Sequence, residues 1–183
     1  MCNARAVGLL VMLVVALPQS RSFAADSVGL AEKPFVHPDI GFSVRVPKAW
    51  QAMPGISSPG FEAPAKDRNE IGGLAPNVIL STDIRPGIRP KHLDDVIAVK
   101  SKQYAEVLKD FALISVDKVK VAGHEARAIN FTTLVSGVLK VRTRQVWVIL
   151  DDKIHMITFT TIADAWEKNA PAFSAIEATF TLP

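Results

Sequence analysis

The sequence predicts an α+β domain in which an antiparallel meander sheet is flanked by helices. Four strand-like runs follow one another with connections of only two or three residues, and connections this short join antiparallel neighbours. Amphipathic helical patterns stand before the first run and after the last. The four runs cover residues 112–121, 125–135, 138–150 and 154–161.

The composition agrees with a globular domain. Of 183 residues, 49% are hydrophobic, 21% are charged, and only one is cysteine. These values exclude a disordered tail, a collagen-like fibre and a disulfide scaffold.

The amino terminus has the order of a secretory signal peptide. Arg5 supplies a positive start, residues 6–17 form an apolar run, and small or polar residues follow. Ser22 and Ala24 offer the small side chains that a signal peptidase needs, which predicts cleavage between Ala24 and Ala25. The run is shorter than the roughly 20 residues that span a bilayer, so a retained anchor is the weaker alternative.

An exported chain is expected in the periplasm or outside the cell. Its single cysteine, Cys2, precedes the apolar run, whereas a lipoprotein needs its cysteine directly after that run, so no stable membrane anchor is expected. Cleavage leaves no cysteine for disulfide or thiolate chemistry. It also removes Arg5 and Arg21, which leaves 19 basic against 18 acidic residues. This near-neutral charge argues against a nucleic-acid partner.

The mature chain is expected to consist of a polar lead-in at residues 25–34 and one domain at residues 35–183. In the segment 35–50, Phe42, Val44 and Val46 alternate with polar residues, which predicts a half-buried strand. The following segment, residues 51–76, is rich in proline and glycine, which predicts a long loop with at most a short strand near Phe61. Loops of this length are usually functional or disordered, so this loop is a candidate site.

A strand and a helix precede the meander. Residues 77–84 are rich in β-branched side chains and end before Pro86, which predicts a strand. Apolar residues spaced by threes and fours then predict an amphipathic helix over residues 92–109. Its first turn carries Asp94 and Asp95, where the helix dipole favours anions.

A second helix is predicted to close the chain. Asp164 and Glu167 have the spacing of a capping box, and apolar residues at helical spacing follow them. Pro171 is expected to kink this helix or start a new turn.

The sequence contains no motif for catalysis, a cofactor or a metal. It has no Gly-x-Ser-x-Gly elbow and no glycine-rich phosphate loop. Its histidines lack the spacing that presents two metal ligands from one element; they are His37, His92, His124 and His155. Two acidic residues at 151 and 152 are better explained as a solvated turn than as a calcium site. We therefore expect a non-enzymatic protein. A hydrolase with a dispersed active site ranks as an alternative behind the two binding functions described below.

One strand carries a basic row. Lys140, Arg142 and Arg144 recur at a period of two, so their side chains leave the same face of the sheet. If the turn at residues 136–137 is a two-residue hairpin, Arg127 on the preceding strand shares that face. The row is either a solvated face, with basic stems lying over apolar neighbours, or a docking row for an acidic partner or a lipid head group. These four residues are the candidate binding site.

The order of several short motifs resembles the PsbP-like superfamily and its DcrB-like branch. The opening strand, Gly41 to Trp50, is similar to that of PsbP-like domains, and the segment Ala75 to Leu80 with the helix after it is similar to the DcrB-like branch. Three later stretches are also similar to that branch; they are Val121 to Ala126, Asp151 to Thr158, and a final helix ending in Ala178, Thr179 and Phe180. The resemblance covers residues 35–183.

The resemblance implies an α-β-α sandwich whose antiparallel sheet carries helices on both faces. Members include an extrinsic photosystem subunit, a Ran-binding nuclear-import factor, a phage-adsorption factor, mycobacterial lipoproteins and toxin chaperones, which share binding to other proteins rather than a catalytic site. A fold alone does not fix a function. The expected function is an exported accessory or adaptor domain that binds a protein partner in the cell envelope. The alternative is a carrier of a small apolar or lipid ligand held between sheet and helix.

Overall fold

A computed structural model describes residues 28–53, 58–68 and 73–183. The expected signal peptide at residues 1–24 and the cleavage site after Ala24 lie outside the described residues. Most of the expected lead-in is described. Within it, Leu30 packs against the core, and the Ala31 amide donates to the Val46 carbonyl at 2.9 Å.

The centre of the fold is an antiparallel sheet of seven strands. Its spatial order is β3-β4-β5-β9-β8-β7-β6, so the last four strands in the chain form the predicted meander. The strands are β3 (Gln51–Ala52), β4 (Gly60–Glu62), β5 (Asn77–Ile84), β6 (Ala112–Val121), β7 (His124–Val135), β8 (Leu139–Leu150) and β9 (Lys153–Ile162). The predicted strands at residues 77–84, 112–121, 125–135, 138–150 and 154–161 are confirmed to within one residue at each end.

Two helices cover the two faces of the sheet. Helix α1 (Leu93–Val107) follows a 3-10 turn, Pro90–His92, and confirms the helix predicted over residues 92–109. Helix α2 (Trp166–Ala178) lies on the other face. The expected α-β-α sandwich is therefore confirmed.

Each helix closes a separate apolar core, because side chains on a strand alternate between the two faces of a sheet. Under α2, Phe159, Phe173 and Ile176 are at most 2% exposed. Under α1, Ile129, Trp147 and Ile149 are at most 5% exposed. Strand β8 contributes to both cores, so it is covered on both faces.

The segment 35–50 differs from the predicted strand. Phe42, Val44 and Val46 are buried as expected. Regular pairing is limited to β1 (Phe35–Val36) and β2 (Ser43–Val44), which form their own two-stranded sheet. The outer side of β2 pairs with the carboxyl-terminal tail through a bridge between Ser43 and Thr181. Tertiary packing on α2, rather than pairing with the main sheet, buries this segment.

The segment 51–76 is more regular than the predicted loop. The short strand expected near Phe61 is present as β4, and β3 pairs with it at the edge of the sheet. A 3-10 turn, Ala65–Asp67, follows. Residues 54–57 and 69–72 of this candidate site lie outside the described residues.

Helix α2 begins and continues differently from the prediction. Its N-cap is Ala165, and no side chain caps it, so Asp164 and Glu167 do not form a capping box. Instead, the Glu167 carboxylate faces Arg142. The helix runs through Pro171 as one element, so of the two expectations for Pro171 the start of a new turn is wrong.

The turn between β7 and β8 has three residues instead of two. Val135 pairs with Leu139, which leaves Ser136, Gly137 and Val138 in the turn. Ser136 and Gly137 both have positive φ, at 52° and 75°. Val138 resembled the first strand residue because it is β-branched, but it is 72% exposed. The extra residue shifts the register by one, and such a shift moves side chains to the opposite face.

A histidine is buried at the other end of the sheet. His155 is 2% exposed, and its Nδ1 lies 2.9 Å from Thr82 Oγ1. Burial, helped by Lys153 and opposed by Asp151, lowers the pKa of His155 from 6.5 to about 4. The folded protein therefore holds this imidazole neutral at every pH above about 4.

His155 makes the stability depend on pH. The unfolded chain takes up a proton near pH 6.5, while the folded chain takes it up only near pH 4. The contribution of neutral His155 to the free energy of unfolding is complete above pH 6.5. Up to about 3 kcal/mol of this contribution is lost as the pH falls toward 4. We expect urea unfolding at pH 7, 6 and 5 to show roughly 2 kcal/mol of this loss in the wild type and a flatter profile in His155→Asn. Parallel profiles for the two proteins would contradict the assignment.

Candidate functional site

A cleft of about 310 Å³ opens between α2 and the strands β6 to β8. Its walls include Asp117 and Asn130 from the sheet and Trp166 and Glu177 from the helix, with Arg142 and Arg144 between them. A second hollow of about 350 Å³ continues from it toward Ala122 and shares Arg144 and Glu177. We call the first space the α2 cleft.

The structure brings three of the four predicted site residues to one face. Lys140, Arg142 and Arg144 alternate along β8 on the side covered by α2, as their spacing predicts. Arg127 lies on the opposite face, because the three-residue turn pairs it with Trp147. Its expected place in the row required a two-residue turn and is wrong.

Arg127 holds α1 against the sheet. Its Nε and Nη2 donate to the two carboxylate oxygens of Asp94 at 2.6 and 3.1 Å. This pairing raises the pKa of Arg127 and lowers the pKa of Asp94. Asp94 lies in the first turn of α1 as the sequence predicts, and it has this additional partner. Arg127 is therefore a structural residue of the α1 side.

Arg144 is neutralised within the fold. Its Nε and Nη2 each donate to one oxygen of Glu177 at 3.0 Å, and Asp117 lies 4.0 Å from its Nη1. The Arg144 and Glu177 side chains are 20% and 17% exposed. Planar bidentate pairing of this kind fixes orientation as well as charge. Arg144 thus ties β8 to the carboxyl-terminal end of α2.

Arg142 is much less satisfied. Its guanidinium carbon lies 4.5 Å from the ring centre of Trp166, a cation–π stacking distance. Its Nη1 lies 3.4 Å from Glu167, whose side chain is 87% exposed. Its Nε is buried and has no hydrogen-bond partner among the described residues. Arg142 therefore keeps donors that an anionic group in the α2 cleft can use.

Lys140 extends the charge of Arg142 to the surface. It is exposed near the start of β8, two residues before Arg142. It makes no ion pair within the part of the chain that the structure describes. Of the predicted row, only Lys140 and Arg142 present charge that the fold leaves largely unpaired.

A polar network that sequence reasoning missed forms the wall opposite α2. Asn130 donates from Nδ2 to Ser115 Oγ and to Asp117 Oδ2, both at 2.9 Å, and Ser115 donates to the same carboxylate oxygen at 3.0 Å. The period-two spacing of Ser115 and Asp117 was the available signal. The network positions the Asp117 carboxylate beside Arg144.

The lining of the α2 cleft is mainly polar and charged. The α2 cleft contains guanidinium groups, carboxylates, an amide and hydroxyls, but no histidine among its lining residues. Across residues 28–53, 58–68 and 73–183, no group of three or more His, Cys, Asp or Glu is placed to hold a metal ion.

The Asp152 carboxylate accepts from the Gly87 amide at 3.0 Å and thereby ties the β8–β9 turn to the end of β5.

The two roles inferred for β8 predict different costs of substitution. Arg144→Met leaves the Glu177 carboxylate partly buried without its partner, so we expect unfolding free energy to fall by about 2 kcal/mol. The matched surface change, Lys140→Met, is expected to change it by less than about 0.5 kcal/mol. Urea unfolding of both variants measures the difference. Adding Glu177→Leu to Arg144→Met should recover part of the loss; equal losses in Arg144→Met and Lys140→Met would contradict the structural role.

Comparison with known proteins places the fold. No family model matches the sequence, and no curated protein is a significant match. LpqN of Mycobacterium tuberculosis, described as involved in cell envelope biogenesis, is 17% identical with a TM-score of 0.63, covering 87% of this chain and 95% of its own. The cyanobacterial PsbP of Synechocystis is 13% identical with a TM-score of 0.57, covering 96% and 99%.

A eukaryotic protein shares the architecture too. The Ran-binding protein Mog1p of Saccharomyces cerevisiae is 11% identical with a TM-score of 0.54, covering 84% of this chain and 96% of its own. Within the described residues, no helix is long and apolar enough to cross a membrane. At sequence identities of 11% to 17%, the similarity to these proteins concerns the fold alone. It confirms the α-β-α sandwich that the resemblance of the sequence motifs implied. The chain has the PsbP-like fold.

Proposed function

We propose that this protein is an exported, non-enzymatic accessory protein that binds a protein partner in the cell envelope. The amino-terminal pattern supports export with cleavage between Ala24 and Ala25, and a periplasmic or secreted location. LpqN, which has the same fold, is involved in cell envelope biogenesis, and Mog1p is a Ran-binding protein. A shared fold is weak support for function by itself, so the proposal depends on the site.

The observation that supports the proposal most directly is the incomplete pairing of the Arg142 guanidinium. Its guanidinium is stacked on Trp166 and keeps a buried Nε without a partner among the described residues. A buried donor without a partner costs roughly 1–3 kcal/mol, more for a charged group. An incoming carboxylate would pair with the accessible part of the guanidinium and relieve this cost once Nε turns toward the α2 cleft, which makes Arg142 the anchor for an acidic side chain.

The contact between Arg142 and Glu167 is weak enough for a carboxylate of a partner to replace it. Glu167 contacts it at 3.4 Å from an exposed position, and ion pairs of this kind contribute little. A partner carboxylate can displace Glu167 at low cost. Arg144 would not take part, because its Nε and Nη2 already donate to the Glu177 carboxylate.

The shape of the cleft favours a protein segment over a lipid surface. The Arg142 side chain is 27% exposed and recessed between α2 and the sheet. A flat anionic bilayer attracts basic groups that project from the surface, and of the predicted row only Lys140 does so. An acidic chain segment can enter the α2 cleft at Arg142 and meet Lys140 at its rim.

Carriage of an apolar ligand under α2 is not favoured by the packing. Trp166, Phe173 and Phe159 fill the space between α2 and the sheet, with neighbouring ring centres 5.2 to 5.4 Å apart. The α2 cleft outside this core is lined mainly by polar and charged groups.

Crosslinking within the native envelope tests the proposal. A photo-reactive amino acid is placed at position 140, and at position 102 as the matched control. Lys102 is also an exposed lysine, but it lies on α1 across the sheet. We expect a discrete protein adduct from position 140 and none from position 102. Adding Arg142→Gln should reduce that adduct about tenfold, because it removes a charge-assisted hydrogen bond.

Two results would count against the proposal. Equal adducts from positions 140 and 102 would mean that the contact does not involve the α2 cleft. An adduct from position 140 that is unchanged by Arg142→Gln would remove Arg142 as the anchor. Circular dichroism of Arg142→Gln serves as the folding control.

A further inference from the structure

The opposite face of the sheet has a cleft that the proposed function does not use. It measures about 190 Å³ and lies between α1 and the strands β5 and β9. Val96, Lys100 and Tyr104 of α1 form one wall, and Trp147, Ile154 and Met156 form much of the rest. We call it the α1 cleft.

The α1 cleft contains a buried donor without a partner. Trp147 is 5% exposed, and its indole Nε1 has no hydrogen-bond partner among the described residues. Buried indole N–H groups usually have an acceptor, and an exception in a native protein requires an explanation. Trp147 lines this cleft, so an acceptor atom of a ligand there would supply the missing partner once the side chains that cover Nε1 move aside.

The rim of the same cleft carries both signs of charge, with Arg85 and Lys100 beside Asp83 in the cleft and Asp95 in the depression next to it. Lys100 is half-buried on α1 and makes no ion pair within the described ranges. Arg85 stands at the end of β5 and pairs at 2.7 Å with Asp83, which leaves its charge largely balanced. Lys100 is therefore the cation available to an anionic group.

A depression with apolar side chains between polar ones, among them His92, Asp95 and Gln103, continues outward from the cleft. It measures about 330 Å³ and shares Val96, Lys100 and Arg85 with the α1 cleft. Ile88 and Val99 add apolar surface, and Val99 is 56% exposed. Together the two spaces reach the size of small-ligand sites, about 300–1,000 Å³, and combine apolar walls with a few polar groups.

We propose that the α1 cleft binds a small amphiphilic carboxylate. The carboxylate lies near Lys100 and accepts from the Trp147 indole N–H, while the apolar part lies in the depression beside Ile88, Val96 and Val99. The cation and the unpartnered donor select the head group, and the apolar walls select the tail. This site lies across the sheet from the α2 cleft and does not depend on the function proposed there.

Titration with decanoate, below its micelle concentration, tests the site. Nitrogen-edited NMR resolves the three indole N–H groups of the chain, and Trp147→Phe assigns that of Trp147. We expect saturable binding with a downfield shift of the Trp147 indole proton. Decanol, which lacks the charge, and acetate, which lacks the tail, should each bind at least about tenfold more weakly, the loss expected for one charge-assisted hydrogen bond or a few buried methylenes.

Variants on α1 locate the head group. Lys100→Gln is expected to weaken decanoate binding about tenfold, whereas Lys102→Gln, an exposed lysine two residues on, should leave it unchanged. Trp147→Phe removes the indole N–H together with part of the buried ring system, so it should weaken binding several-fold.

Several outcomes would overturn the inference. These are an absence of saturable binding, equal binding of decanoate and decanol, equal binding of decanoate and acetate, or equal effects of Lys100→Gln and Lys102→Gln. If Trp147→Phe does not fold, the lysine pair and the two control ligands still decide, because Lys100 is only half-buried.

Discussion

The three-residue turn between β7 and β8 determines which side chains share a face of the sheet. Ser136 and Gly137 adopt positive φ, and Val138 adds one residue before pairing resumes. The resulting register places Arg127 beside Trp147 under α1, while Arg142 and its neighbours on β8 face α2. With one residue fewer, the side chains of β7 would exchange faces, and neither apolar core could form as it does.

A sheet covered on both faces imposes a requirement on its charged side chains. Partly buried guanidinium groups need carboxylate partners, because an unpaired charge loses its hydration. Arg127 obtains Asp94 from α1, and Arg144 obtains Glu177 from α2. Within the described part of the chain, Arg142 has only the exposed Glu167 and the Trp166 ring. The incomplete pairing of one arginine, rather than the presence of a basic row, distinguishes the proposed binding group from two structural ones.

The sequence was informative where alternation or helical spacing ran over many residues. The strands β5 to β9, helix α1 and the burial of Phe42 followed from such patterns. The face of Arg127 could not be predicted, because it depends on a single turn residue, Val138. The difference between Arg142 and Arg144 also lay beyond the sequence, since it is set by contacts with α2, more than twenty residues later. Trp147 lies in a strand that the sequence predicts, but no sequence pattern shows that its N–H lacks a partner among the described residues.

The register of β7 against β8 is measured most directly by inter-strand nuclear Overhauser effects in the isotope-labelled protein. The structure predicts cross-strand contacts that link Arg127 with Trp147 and Asn130 with Arg144. Contacts that link Arg127 with Val146 would indicate a two-residue turn. That result would return Arg127 to the basic row and contradict the separation of binding and structural arginines.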